Sequence, residues 1–435
     1  MASNTSASAL LFLAAISAAI IANSPLAPVY QSFFEGTVSI RIGDFNLFSH
    51  HGEPLSVLAF VNDALMTVFF FMVGLEIKRE LMVGEISSVR KASLPFIAAC
   101  GGMIIPVAVY SFICFQKGGV GIDGLAIPMA TDIAFSLGVL SLLGKRVPLC
   151  LKVFLTAFAV VDDIGGILVI ALFYSSQISV SYLLLGFLFI FILFLGNRYH
   201  VSNKTFYLLI GIVVWYFFLQ SGIHSTIAGV LVAFMIPAKP KLKIGRYIEA
   251  IRRYISKFPT TQQDSIVLTN EQIETLKRLE TASDKVISPL QSMEDNLFRT
   301  VNFFILPAFA FSNAGVVLSG ESGEVFGVVT LAVALGLILG KFIGIFFFTY
   351  AAIKTKIVSM PEGMDWANLA GVAMLGGIGF TVSLFIANLS FGDSLLLLNQ
   401  AKLGVIIGSI VSGTLGYVIL FFVLPRNNSK VLNKF

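Results

Sequence analysis

Apolar residues run along this chain in stretches of about 20, separated by short polar loops. A helix of that length spans the ~30 Å hydrocarbon core of a bilayer. Twelve such runs lie near residues 9–30, 57–77, 92–115, 124–143, 150–174, 180–197, 204–220, 222–237, 297–318, 325–352, 367–390 and 400–424. The seventh and eighth have only the turn Gln220-Ser221-Gly222 between them. Several runs are apolar on every side, without the alternation of a strand, so helices are predicted. The fold class is therefore all-α and polytopic, twelve transmembrane helices in one domain. The sizeable polar segment is the 238–296 connection. In it, Ile273, Leu276 and Leu279 oppose Glu274, Lys277 and Arg278, which predicts a short amphipathic helix around Asn270–Glu280. Both a plain linker carrying one surface helix and a regulatory domain fit that pattern.

Composition agrees with the pattern. Of 435 residues, 57% are hydrophobic and 12% charged, with a mean hydropathy of +0.90. Soluble domains carry about 25% charge. The net charge of +5 invites a nucleic-acid reading, but its distribution removes it. Of the 29 Lys and Arg, 25 fall in alternate loops on one side, while Arg41, Lys117 and Lys402 fall on the other and Lys341 inside a span. That bias makes the basic side and both termini cytoplasmic. The run Ala9–Ile21 resembles a signal-peptide core, yet no charged residue precedes Glu35, so a retained first span is expected. Cys100, Cys114 and Cys150 show neither disulfide nor zinc spacing.

The chemistry lies in the ionisable residues inside the spans. Asp132 falls in the fourth, Asp162 and Asp163 in the fifth and Lys341 in the tenth. At roughly 2.5–3.5 kcal/mol each at mid-bilayer, these four cost about 10–14 kcal/mol if left unpaired. Three acids and one base leave a surplus acid, which an inert salt bridge does not explain. Neighbouring helical residues point about 100° apart. One of Asp162 and Asp163 can therefore meet Lys341 while the other faces a cavity, and the two exchange protons as a coupled set. Carboxylates so placed bind a proton or a hard cation such as sodium.

Pro128 stands four residues before Asp132 and favours a helix break there; Gly376-Gly377-Ile378-Gly379-Phe380-Thr381 offers a second interruption in the eleventh span. Paired interruptions in corresponding halves point to a transporter's midplane site, with Asp132 and Lys341 placed to offset the exposed helix-end dipoles. Close helix packing is the plainer reading of the glycines. Asp63, after Asn62 in an apolar run, permits a helix-interior polar contact or a direct ion role. Glu76 and Glu80 flank Lys78 and Arg79 at the end of the second span, as a solvated helix end or a cation-attracting funnel. His224 permits a structural hydrogen bond or a proton-sensitive switch.

These residues resemble bacterial NhaA-type sodium/proton antiporters along most of the chain. The resemblance rests on Asn62-Asp63-Ala64-Leu65, Val73-Gly74-Leu75-Glu76-Ile77-Lys78-Arg79-Glu80, Ala130-Thr131-Asp132-Ile133-Ala134-Phe135 and Phe158-Ala159-Val160-Val161-Asp162-Asp163-Ile164-Gly165. It continues through Ser221-Gly222-Ile223-His224, Leu306-Pro307-Ala308-Phe309-Ala310-Phe311, Gly340-Lys341 and the glycines of 376–381. It implies an inverted-repeat fold, spans three to five answering ten to twelve, with two interrupted helices crossing at the ion site. By position it makes Asp163 the principal sodium ligand and Asp162 the partner of Lys341. Thr131 and Asp132 belong to the crossing, supported by Gly376, Gly377 and Gly379. Glu76, Glu80 and Glu280 match a cytoplasmic charge cluster of the pH response. The implied activity is electrogenic, pH-regulated export of sodium or lithium against protons, by a transporter and not an enzyme, without a cofactor. Sodium, protons and the bilayer are the implied partners, with a homodimer left open and no nucleic acid. The stretch from Ile244 to Asn270 is extra relative to shorter members, and Thr281-Ala282-Ser283-Asp284 lacks the histidines some relatives have there.

Three rivals fit less well. An intramembrane aspartyl protease needs Tyr-Asp and Gly-x-Gly-Asp contexts that neither Asp has. A retinal protein using Lys341 fits neither twelve spans nor an adjacent Asp pair. A sodium-coupled symporter of similar fold is disfavoured by the motifs.

Overall fold

The computed structural model describes every residue except 1, 44, 51–52, 85, 176–177, 241, 257, 259–267, 318–325 and 426–435. The basic tail residues Arg426, Lys430 and Lys434 lie outside the described residues.

Helices dominate, as all-round apolar sequence requires. The first is α1 (Ala2–Ala22), which turns by 113° into α2 (Ala27–Glu35). The run 9–30 is thus not one rod: Pro25 and Pro28 remove backbone donors, and the Asn23 side chain binds Ala19 O at 2.9 Å. A small antiparallel region follows, with β1 (Thr37–Val38), β2 (Arg41–Ile42), β3 (Phe45–Asn46), β4 (Ser49–His50) and β5 (Glu53–Ser56). The order is β1-β5-β4 with a separate β2-β3 pair, and Thr37 stands opposite Ser56. Strands of two to four residues are too short to reveal themselves by alternation.

Next come α3 (Val57–Val83) and α4 (Val89–Gln116), then α5 (Ile133–Leu142) and α6 (Leu149–Phe173). After them stand α7 (Val180–Arg198), α8 (Lys204–Ser221) and α9 (Ser225–Met235). Gly222 separates α8 from α9 with a left-handed backbone at φ 79°, a conformation glycine adopts without strain. The run 222–237 is therefore only the 11-residue α9. Among its described residues the polar connection holds α10 (Ile244–Ser256) and α11 (Asn270–Val286), and the start of a further helix, where one was expected. A capping box between Thr269 and Gln272 starts α11.

The ninth run is helical as α12 (Pro289–Thr300), a π turn at Val301–Ile305 and α13 (Leu306–Asn313). The chain ends with α14 (Val328–Lys354), α15 (Trp366–Leu375), α16 (Phe380–Phe391) and α17 (Leu395–Val423). Among the described residues, seven helices are long and apolar enough to cross a membrane, and up to ten spans result if each of three bent pairs counts as one.

Close packing of α4 on α14 sets the centre. A Cβ on Gly344 would stand 2.1 Å from Gly101 O, so only glycine permits this approach. A π turn at Gly336–Gly340 directly precedes Lys341 and re-aims it within α14. Lys341 is thereby turned toward α6, where Asp162 and Asp163 lie.

Candidate functional site

Two chain breaks meet in the middle of the molecule. One is the extended stretch through Ala130 and Asp132 that enters α5, bending the path by 40° after the Pro128 turn. The other, residues 376–379, bends α15 from α16 by 43°. Helix ends leave N–H and C=O groups unsatisfied, an expensive defect away from water. Here each break satisfies the other. Thr131 Oγ1 donates to Gly376 O at 2.8 Å, Asp132 N to Ile378 O at 2.6 Å and Ser136 Oγ to Leu375 O at 3.0 Å.

In return, Asp132 Oδ2 accepts from Thr381 N at 3.1 Å and Thr381 Oγ1 at 2.6 Å, while Oδ1 accepts from Phe135 N at 2.9 Å. One carboxylate therefore caps two helix N-termini, where backbone dipoles favour negative charge. The glycines permit the contact: a Cβ on Gly377 would lie 2.4 Å from Leu337 O.

Lys341 does not share in that capping, as the sequence had suggested. Its Nζ donates to Asp162 Oδ2 at 2.7 Å, with both side chains wholly out of solvent. The ammonium also stands 5.5 Å from the centre of the Phe158 ring. Asp162 is thus spoken for, although its Oδ1 accepts no hydrogen bond among the described residues.

Asp163 is different. It lines a cavity of about 290 Å³ together with Thr131, Asp132 and Thr381. Along α3 the cavity wall passes Phe69, Met72 and Val73 to Glu76 and Arg79, and so reaches the basic face of the molecule. Asp163 makes no hydrogen bond there among the described residues.

The mouth of the cavity is acidic. Arg79 pairs with Glu294 at 2.6 Å and Glu80 at 3.1 Å, and Glu76 and Asp295 add their carboxylates. Glu294, on α12 ahead of the apolar run, is pushed up to about 7 by burial, against the pull of Arg79. Sequence reading missed Glu294 and named Glu280 instead. Glu280 is exposed on α11 and does not line the cavity. The signal for Glu294 was weak, since an acid in a polar segment carries no mark until the fold brings Arg79 to it. Lys78 is no part of the mouth; its Nζ binds Phe234 O at 2.7 Å and Ile236 O at 2.5 Å, closing the end of α9.

His224 is also away from the mouth. It precedes the opposite end of α9, and its ring lies 6.1 Å from that of Phe385. Phe385 meets Phe70 at 5.5 Å and Phe309 at 6.3 Å. Beyond these rings runs an asparagine chain. Asn388 Nδ2 donates to Asn313 Oδ1 and Asn313 Nδ2 to Asn62 Oδ1, each at 2.9 Å. Asp63, next to Asn62, reaches other helices: its Oδ1 accepts from Ser225 Oγ at 3.3 Å, and its carbonyl accepts from Trp215. Among the described residues no group of three or more His, Cys, Asp or Glu could hold a resident metal.

Comparison with known proteins bears on the chain as a whole. The family model described as Na+/H+ antiporter 1 matches residues 1–420. The chain is 65% identical to the Na(+)/H(+) antiporter NhaA of Bacteroides thetaiotaomicron, over 98% of this chain and 97% of that protein. It is 64% identical to the protein of the same name from Bacteroides fragilis strain ATCC 25285, over 97% of each. Against Na(+)/H(+) antiporter NhaA 2 of Syntrophotalea carbinolica the identity is 42%, over 94% of this chain and 92% of the relative.

Proposed function

The chain belongs to the Na+/H+ antiporter 1 family, and from that premise we propose that it exports sodium or lithium in exchange for external protons. The exchange is electrogenic and rises at alkaline pH. The fold is read as twelve spans in a bacterial inner membrane, both termini cytoplasmic, with spans three to five and ten to twelve as inverted repeats. The basic face is then cytoplasmic, and the cavity is the inward route to the site.

One observation carries the mechanism. Asp163 faces the cavity without a hydrogen-bond partner among the described residues, whereas Asp162 is held by Lys341. An ionised carboxylate moved through a low-dielectric interior costs several kcal/mol. Protons and sodium therefore compete for Asp163, and the site crosses between inward- and outward-facing states only when neutralised or loaded. Thr131 and Asp162 Oδ1, which accepts no hydrogen bond among the described residues, complete the oxygen-rich surroundings that suit sodium. Competition for shared carboxylates makes the coupling reciprocal. Asp132 keeps the crossing's helix ends satisfied while the ion passes. Glu76, Glu80 and Glu294 attract cations at the cytoplasmic mouth, with Arg79 as their counter-charge and Glu294 ionising as pH rises through about 7.

The test is proton flux in vesicles holding the purified protein and an internal pH dye. Added sodium should drive protons the opposite way, faster at alkaline pH and faster still with a membrane potential of the favourable sign. Sodium-dependent solute uptake with no counterflow of protons would instead establish a symporter.

A further inference from the structure

The helix α10 has a face that leaves large apolar side chains exposed among the described residues. Successive residues turn by about 100°, so Ile244, Ile248 and Ile255 fall within roughly 40° of one another. They are 71%, 46% and 62% exposed, forming one isoleucine stripe. The adjoining face, with Tyr247, Ile251 and Tyr254, is half-buried, and Tyr247 Oη hydrogen-bonds Ser283 Oγ of α11 at 2.9 Å. The stripe is therefore not the side that packs on α11.

Charge and position name its partner. Arg252 flanks the stripe on the side away from α11, and Lys239 and Lys243 are exposed in the lead-in. Arg246 and Arg253 complete the helix's basic charge, against the single acid Glu249. The helix is also tethered beside the ends of apolar helices. Leu242 N donates to Lys285 O at 2.8 Å, and Leu290 N donates to Pro237 O at 3.2 Å, two residues beyond α9. Asn197 Nδ2 binds Met235 O at 2.8 Å, tying the end of α7 to that of α9, and Lys204 binds Ser292, tying the start of α8 to α12. An apolar stripe with flanking cations, held at the edge of a bilayer, is the pattern of an interfacial helix attracted to anionic lipid.

We propose that α10 lies on the anionic headgroups of the cytoplasmic leaflet, with Ile244, Ile248 and Ile255 at the acyl boundary. The leaflet follows from the orientation proposed above; the docking itself does not depend on the ion that is carried.

The test uses full-length protein, its three native cysteines replaced by alanine, with a spin label at Ile248→Cys or at Glu249→Cys. In vesicles of phosphatidylcholine and phosphatidylglycerol, the label at 248 should collide with oxygen more than with a water-soluble nickel chelate, and the label at 249 should do the reverse. In phosphatidylcholine alone, nickel collisions at 248 should rise several-fold. A Lys243→Gln/Arg252→Gln background should show that same rise in the anionic vesicles. Equal nickel access at 248 and 249 in anionic vesicles overturns the proposal. So does shielding of 248 from both reagents, which would mean a protein partner such as a second copy. Immersion that ignores lipid charge removes the anionic specificity. Sodium-driven proton flux on the same vesicles separates the two failures: intact flux with a water-exposed label sinks only the docking, while an immersed label without flux sinks only the transport reading.

Discussion

The two approaches to Asp163 are built from opposite materials. On the basic face the way in is an open cavity ending among Glu76, Glu294 and Asp295, with Arg79 as a counter-charge. Away from that cavity, the rings of Phe70, Phe309 and Phe385 pack together and Asn62, Asn313 and Asn388 form a hydrogen-bonded chain, which we read as the closed approach. Both are needed for exchange. An open acidic approach concentrates cations. A closed neutral one stops leakage, and its hydrogen bonds can be exchanged for water when it opens. Charge belongs where an ion must be drawn in, and neutral polar groups where a seal must break and reform.

The largest effect is expected where the approaches meet. Asp163→Asn keeps the shape of the site but removes its titratable charge, so sodium/proton exchange should vanish at every pH in everted vesicles. Ordinary exchange by a folded Asp163→Asn protein would sink the mechanism. Lys341→Ala should behave differently, because Lys341 stands behind the site rather than in its path. Breaking a buried ion pair costs about 3–5 kcal/mol, so thermal stability should fall sharply and the pH profile should move. Sodium affinity by titration calorimetry should stay within about threefold, ~0.7 kcal/mol. Lost sodium binding with an unchanged pH profile contradicts that division of roles.

These central residues were legible in the sequence, and the seal was not. Asp132, Asp162, Asp163 and Lys341 announce themselves because charge in an apolar run is costly. The break at Asp132 was legible from Pro128, and that at 376–379 from its glycines. Asn62, Asn313 and Asn388 are neutral, cheap to bury when paired, and distant in sequence, so only the fold connects them. Glu294 was hidden for the opposite reason, as one charge among many in a polar segment. The isoleucine period of α10 was present in the sequence, but Ile244, Ile248 and Ile255 among the charges of a polar connection stand out less than the apolar stripe of Asn270–Glu280. Hydropathy also marks apolar length without direction, so it could not see α1 turn by 113° into α2.

The seal itself gives the next prediction. Asn388→Ala removes the hydrogen bond to Asn313 Oδ1 and loosens the chain to Asn62. One or two such bonds are worth about 1–2 kcal/mol in total. If they hold the outward route closed, their loss raises the outward-open population by about 5–30-fold. Apparent affinity scales with the competent fraction, so half-saturating external sodium in right-side-out vesicles should fall by about that factor. The internal value should change little. A shift that is equal on both faces, or absent, shows that the asparagine chain is not the seal.

The smallest effect is expected at the mouth, and its sign follows from Glu294. Burial raises this carboxyl from 4.5 to about 7, so it is neutral well below that pH and ionised above it. A raised carboxyl means that ionisation is harder in the folded chain than in the unfolded one. Its contribution to stability is therefore lost as pH rises from about 4.5 through 7. In transport the same ionisation adds negative charge beside Arg79 as the medium turns alkaline, which draws sodium in. Glu294→Gln fixes the neutral form. Below pH 6 the variant should match the wild type. At pH 8.5 its half-saturating internal sodium should be about two- to fivefold higher, the worth of one partly screened charge. Stability should fall less than in the wild type as pH rises through about 7, read as Tm across a pH series. A difference that grows toward acid pH would reverse the sign and exclude Glu294 as a source of the alkaline response.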